Sequence, residues 1–219
     1  MKKILLSISI IILSFSLTLQ TDAAWEKEME SFKKQDQQNP PQLGQILFVG
    51  SSTFTLWKTM QDDMPEIPLI NRGFGGSKVT DLIEHFDTVI APYHPKQIVI
   101  YEGDNDIVSG ASPKKILENY KQLLQKIRAL YPEIPVTIIS VKPCESRKDK
   151  LIAIAVLNDM LNVWASQTEN LYYLNTFNIT LNAEGTPIPE YFLKDKLHLN
   201  DLGYKAWARK ISKHLQSID

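Results

Sequence analysis

Residues 46–57 run Ile46-Leu47-Phe48-Val49-Gly50-Ser51-Ser52-Thr53-Phe54-Thr55-Leu56-Trp57, and the reading of this stretch decides the fold. Four apolar residues in succession, with no polar alternation, describe a strand buried on both faces, as in a parallel sheet. Gly50 ends the strand, polar residues follow, and helical spacing runs from Leu56 to Met60. Four further short apolar runs repeat the theme at Leu69–Asn71, Gln97–Tyr101, Val136–Val141 and Leu171–Leu174. Helical patterns over Val79–Phe86, Pro113–Tyr131, Leu151–Ala165 and Leu202–Leu215 alternate with them. In the longest, Pro113 suits a first helical turn, and Leu117, Tyr120, Leu123, Leu124, Ile127 and Leu130 share one face. The alternation predicts an α/β sandwich with right-handed crossovers. A further helix is read over Trp25–Gln35, stopped by Asn39-Pro40-Pro41. No repeat or linker interrupts the pattern, so residues 24–219 are read as one domain.

Composition narrows the function classes. The chain has 219 residues, 24 basic and 25 acidic side chains, and a formal charge of −1. A nucleic-acid partner is not expected without a basic excess. The single cysteine excludes an intrachain disulfide and any multi-cysteine zinc or iron–sulfur centre. Cys144 itself reads as a small, partly buried residue. At the N-terminus, Lys2-Lys3 precede an apolar run from Ile4 to Leu19, and Thr21-Asp22-Ala23-Ala24 supplies small residues for cleavage. This reads as a secretory signal peptide over residues 1–23, rather than an uncleaved membrane anchor. The expected location is therefore secreted or periplasmic, with no stable membrane anchor once the leader is removed.

In parallel α/β sheets, ligands bind beyond the carboxyl ends of the strands. The first such place holds Gly50-Ser51-Ser52-Thr53, where a hydroxyl can project above the sheet beside a helix N-terminus, or serve only as an N-cap. The second holds Asn71-Arg72-Gly73-Phe74-Gly75-Gly76-Ser77, whose glycines let backbone approach a ligand closely. The chain has neither a Gly-Lys-Ser/Thr ending nor a Gly-x-Gly-x-x-Gly run, which leaves nucleotide binding unsupported. The third holds Glu102-Gly103-Asp104-Asn105-Asp106, in which Asn105 can donate to an oxyanion. The same stretch also fits an acidic turn or a calcium loop, though it lacks the full calcium spacing. Before the last helix, Asp195 and His198 stand three apart, so that a carboxylate can fix the tautomer of an imidazole base. His85, His94 and His214 have no such partner and read as ordinary surface or boundary histidines. Arg72 and Trp57 read as packing or pocket-wall residues, and Asp104 and Asp106 as braces of their turn.

Taken in order, these segments resemble the SGNH hydrolase family, also called GDSL esterases and lipases. The resemblance runs from Ile46 to Trp207. Ser52 stands at the nucleophile position of the first block, in Phe48-Val49-Gly50-Ser51-Ser52. Gly76 matches the second block, Asn105 the Gly-x-Asn-Asp of the third, and Asp195 and His198 the final Asp-x-x-His. Ser51 replaces the usual aspartate before the nucleophile, which leaves two adjacent serines; register from Gly50 favours Ser52. The resemblance implies a three-layer α/β/α sandwich around a parallel five-stranded, flavodoxin-like sheet. It also implies a Ser52–His198–Asp195 triad, an oxyanion hole from the Ser52 and Gly76 amides and the Asn105 side chain, and no metal or organic cofactor. The implied partner is a small-molecule or glycan ester. An acyltransferase on the same triad, and a catalytically inactive carbohydrate-binding relative, are the alternatives. Specificity is expected in the turn-rich stretch from Asn175 to Tyr191.

Overall fold

The computed structural model describes residues 25–218; the expected leader, residues 1–23, lies outside them. By its contacts the chain divides at the Pro40-Pro41 step. On the N-terminal side, residues 25–38 form helix α1, three residues longer than the Trp25–Gln35 reading. Its exposed face carries an ion pair between Lys33 and Glu30 at 2.8 Å.

From Pro41 onward, strands and helices alternate. The strands are β1 (Ile46–Gly50), β2 (Leu69–Gly73), β3 (Gln97–Tyr101), β4 (Val136–Ile139) and β5 (Leu171–Leu174). The helices are α2 (Ser52–Thr55), α3 (Met60–Asp63), α4 (Val79–Glu84), α5 (Phe86–Val89), α6 (Asp104–Val108), α7 (Pro113–Leu130), α8 (Leu151–Ser166) and α9 (Asp201–Gln216). All neighbouring strands are parallel, in the order β2-β1-β3-β4-β5. This is the expected five-stranded α/β/α sandwich with flavodoxin-like strand order. Helix α7 packs between α4 and α8 in one layer, and α3 packs on α9 in the other. No described helix is long and apolar enough to cross a membrane.

The continuous apolar runs are explained by burial: every residue of β1, β3 and β4 is buried. Ile46 and Phe48 of β1 and Val99 and Tyr101 of β3 face one core, closed by Trp57, Met60, Met64, Trp207 and Ile211. The strand order reverses between β1 and β3, because β1 leads outward to β2 and β3 then begins on the opposite side. Loops leaving the carboxyl ends there diverge and leave a crevice between them. Gly50 makes the closest approach at this point. Its φ is +148°, and a Cβ would lie 2.2 Å from Tyr101 O. The turn is then tied on both sides, by Ser51 N to Tyr101 O at 3.2 Å and Phe74 N to Gly50 O at 2.8 Å.

Several local readings differ from the structure, beyond strand β2, which runs two residues past the expected Asn71 to Gly73. The helix expected over Leu56–Met60 is a turn between α2 and α3, held by Trp57, which stacks on Tyr204 at 4.9 Å and donates to Asp63 Oδ2 at 2.8 Å. The helix expected over Val79–Phe86 breaks at His85, whose ψ of 16° leaves helical geometry before α5 starts. Strand β4 ends at Ile139, not Val141. Beyond it, the Asn158 side chain pairs with both backbone groups of Val141 at 2.9 Å, as a neighbouring strand would. Finally, the segment read as a turn around Asn105 is helix α6, entered through Gly103 at φ +115° with Asp104 and Asp106 in its first turn.

Candidate active site

Four loops meet at the crevice between β1 and β3. Ser52 is the first residue of α2, directly after the β1 turn, and is half-buried, whereas Ser51 is buried at 2% exposure. The Ser52 Oγ lies 2.9 Å from His198 Nε2, across 146 residues of sequence. Of the two adjacent serines, it is Ser52 that meets the imidazole.

The far side of that ring is held locally. His198 Nδ1 lies 2.7 Å from Asp195 Oδ2, while Asp195 Oδ1 accepts the amides of Leu197 at 2.9 Å and His198 at 3.0 Å. An aspartate whose side chain turns back onto amides two and three residues on is an Asx-type turn, which brings the carboxylate beside the imidazole of the same loop. Lys196 completes the turn in the left-handed region at φ 56°. Burial of Asp195 opposes its ionisation, yet the bonds from the His198 ring and the two amides outweigh it and bring its pKa down to about 2. A carboxylate that stays ionised keeps Nδ1 protonated and leaves the lone pair on Nε2, toward Ser52. The loop is anchored by Asn200, which caps α9 by accepting from Leu202 N and Gly203 N and also donates to the Glu190 and Phe192 carbonyls.

The remaining two expected residues lie in the loop after β2 and on α6 after β3. Gly76 lies exposed in the loop after β2 at φ +81°, with open space where a Cβ would be and no hydrogen-bond partner for its amide among the described residues. Asn105, on α6, donates through Nδ2 to Ser77 O at 3.0 Å, which ties it to the same loop. An amide carries a second Nδ2 hydrogen, so this bond leaves one free to donate elsewhere.

The acidic residues of the third segment do not converge. Glu102 turns toward Ser77, Asp106 accepts Val79 N at 3.3 Å at the start of α4, and Asp104 faces Arg147 at 3.6 Å. Among the described residues, no three His, Cys, Asp or Glu side chains stand together as metal ligands would. Arg72 is buried against Tyr93, donating to its hydroxyl at 2.7 Å. Cys144 is a buried free thiol. Of the other histidines, His94 sits in a left-handed turn at φ 42°, and His214 is tied to Thr137 Oγ1 at 3.0 Å.

Sequence reasoning missed the support beneath α2. Lys142 is fully buried, and its Nζ reaches Thr53 Oγ1 at 3.2 Å and the Tyr101 hydroxyl at 3.3 Å. Tyr204 donates from α9 to Thr53 O at 2.9 Å. Both hold the residue next to Ser52, but a lysine after an apolar run carries no local sign that it will be buried.

The sequence matches the profile of the GDSL-like lipase/acylhydrolase family over residues 49–206, and the chain belongs to that family. A Streptococcus pneumonia protein named for platelet activating factor is similar at 21% identity and a TM-score of 0.79, over 92% of this chain and 99% of that one. A GDSL-like lipase from Bacteroides thetaiotaomicron is similar at 18% identity and a TM-score of 0.76, over 87% and 98%. A carbohydrate esterase of family 3 from Talaromyces cellulolyticus is similar at 15% identity and a TM-score of 0.66, over 80% and 98%. At these identities the likeness is one of fold. No curated protein matches the sequence. Family membership supports an ester hydrolase.

Proposed function

We propose that the protein cleaves a carboxylic ester through a covalent acyl-enzyme on Ser52. The observation that carries this reading is the continuous contact from Ser52 Oγ through the His198 ring to Asp195. His198 Nε2 takes the Ser52 proton as Oγ attacks the ester carbonyl, and Asp195 stabilises the imidazolium that forms. The amides of Ser52 and Gly76 and the Asn105 side chain donate to the oxyanion. His198 then gives its proton to the leaving alcohol, and the acyl group stays on Ser52. A water, deprotonated by His198, attacks the acyl carbonyl; the acid leaves as Ser52 Oγ takes that proton back from His198, which restores the free serine and the neutral ring.

For substrate, we favour a small or water-accessible ester, including acetylated or otherwise acylated sugars. A cleft of about 220 Å³ lies beside the His198 loop, lined by Glu145, Pro187, Pro189, Phe192 and Lys196. Both prolines belong to the stretch in which specificity is expected. Residues 1–23 are proposed as a cleaved leader, making the protein secreted or periplasmic; the N-terminal sequence of the mature protein tests this.

The function is tested by turnover of chromogenic esters of increasing chain length beside an acetylated polysaccharide. Ester cleavage that is lost in Ser52→Ala supports the reading. A protein that binds these substrates without turning any over contradicts it. Product partition between water and an added polyol separates hydrolysis from acyl transfer, which shares the acyl-enzyme stage.

A further inference from the structure

Ser77 closes the glycine loop, and its hydroxyl oxygen lies 2.9 Å from Phe74 O and 2.6 Å from Glu102 Oε1. A serine hydroxyl has one proton to donate. Ser77 Oγ donates to Glu102 Oε1, the shorter of the two contacts, and shares that proton with Phe74 O. Glu102 is fully buried, and its Oε2 has no hydrogen-bond partner. Burial, followed by the nearby carboxylates of Asp106, Asp81 and Asp104, pushes its titration well above the usual carboxylate range, against the opposing bond from Ser77.

The chain of contacts continues toward the site. The Ser77 carbonyl accepts Asn105 Nδ2 at 3.0 Å, and the Glu102 carbonyl is held from α7 by the Tyr120 hydroxyl at 3.1 Å. One buried carboxyl therefore links the end of β3 to the loop that carries Gly76 and to the carbonyl that holds Asn105. We propose that Glu102 is a positioning residue for the oxyanion donors: through the Ser77 hydroxyl it fixes the Phe74–Ser77 loop and so sets where the Gly76 amide and the Asn105 side chain point. The inference rests on the reading of Gly76 and Asn105 as oxyanion donors. Donors misplaced by a fraction of an ångström lose transition-state stabilisation while ground-state binding is little affected, so kcat should suffer rather than KM.

The test is steady-state kinetics of Glu102→Leu, Glu102→Gln and Ser77→Ala, each alone and combined with Asn105→Ala, with melting temperatures alongside. Glu102→Leu and Ser77→Ala should lower kcat on the order of 10- to 100-fold with KM nearly unchanged. Glu102→Gln should recover most of that loss, because its side-chain carbonyl can accept from Ser77 Oγ as the carboxyl does. In the Asn105→Ala background the Glu102→Leu loss should shrink, since a donor it positions is gone. A lowered melting temperature with unchanged kcat, or a loss that adds in full to that of Asn105→Ala, overturns the proposal. Where Glu102→Leu does not fold, Ser77→Ala decides. A kcat loss in Asn105→Ala with none in Ser77→Ala sinks this inference alone, whereas unchanged kcat in Asn105→Ala removes the reading beneath it.

Discussion

Ser51 and Ser52 show what a residue's place in a turn decides. They are chemically identical neighbours, yet Ser51 is buried as the residue before α2 and Ser52 opens the helix within 2.9 Å of an imidazole. Register from Gly50 already favoured Ser52 in the sequence, because it sets Ser52 at the nucleophile position of the family's first block. Ser52→Ala should lower kcat on a small ester by about 10⁴-fold or more, with Ser51→Ala close to wild type in the same assay. Asn105→Ala should cost roughly 10²–10³ in kcat with the fold intact, as loss of one oxyanion donor does. A rise in KM alone would make Asn105 a substrate-binding residue instead. The general base must be neutral to accept the serine proton, so kcat/KM should climb with pH along a single ionisation. A rate independent of pH under chemistry-limited conditions would contradict a histidine base. Asp195, held near 2, stays ionised above about pH 4 and adds no limb of its own there.

At the level of elements, legibility followed burial and length. The five strands and the long helices were readable because apolar side chains repeat over enough residues to show a period. Short elements gave no period to read. Helix α6 has five residues, opens on acids that look like a turn, and depends on Gly103 reaching a left-handed conformation. The end of β4 was misplaced for a different reason: Ser140 and Val141 look like strand residues, but an amide side chain from α8 takes the place of the next strand. That substitution predicts its own test. Asn158→Leu keeps the volume and leaves two buried backbone groups of Val141 unpaired, so chemical denaturation should show a loss of about 2–5 kcal/mol. A variant within about 0.5 kcal/mol of wild type would mean that Val141 is satisfied in another way. The four motif segments show in the sequence as residue types and spacings, whereas the burial of Lys142 and Glu102 does not, because it comes from packing beneath α2 and the glycine loop.

The whole molecule carries an electrostatic signature of its own. Asp106 is pushed up to about 6, first by burial, with the Asp81 carboxylate adding to it and the Val79 amide and Lys78 opposing. Asp81 and Glu102 are raised as well, again chiefly by burial. An unfolded aspartate titrates near about 3.9, so between about pH 4 and 6 the folded protein binds more protons than the unfolded chain. Stability should therefore fall as pH rises through that window, and Asp106→Asn should flatten the slope measured by urea denaturation. Asp195 has the opposite sign: its contribution is present above about pH 4 and disappears as pH falls toward 2. A stability curve that rises from pH 4 to 6 and is unchanged in Asp106→Asn would contradict the effect of burial on Asp106. The fold's largest consequence is the meeting of Ser52 with a histidine 146 residues away, and this is also the most direct thing to measure. After treatment with a fluorophosphonate, peptide mass spectrometry should find one adduct, on Ser52, whose formation slows sharply in His198→Ala. An adduct on Ser51, or an unmodified protein that still hydrolyses esters, would contradict the account.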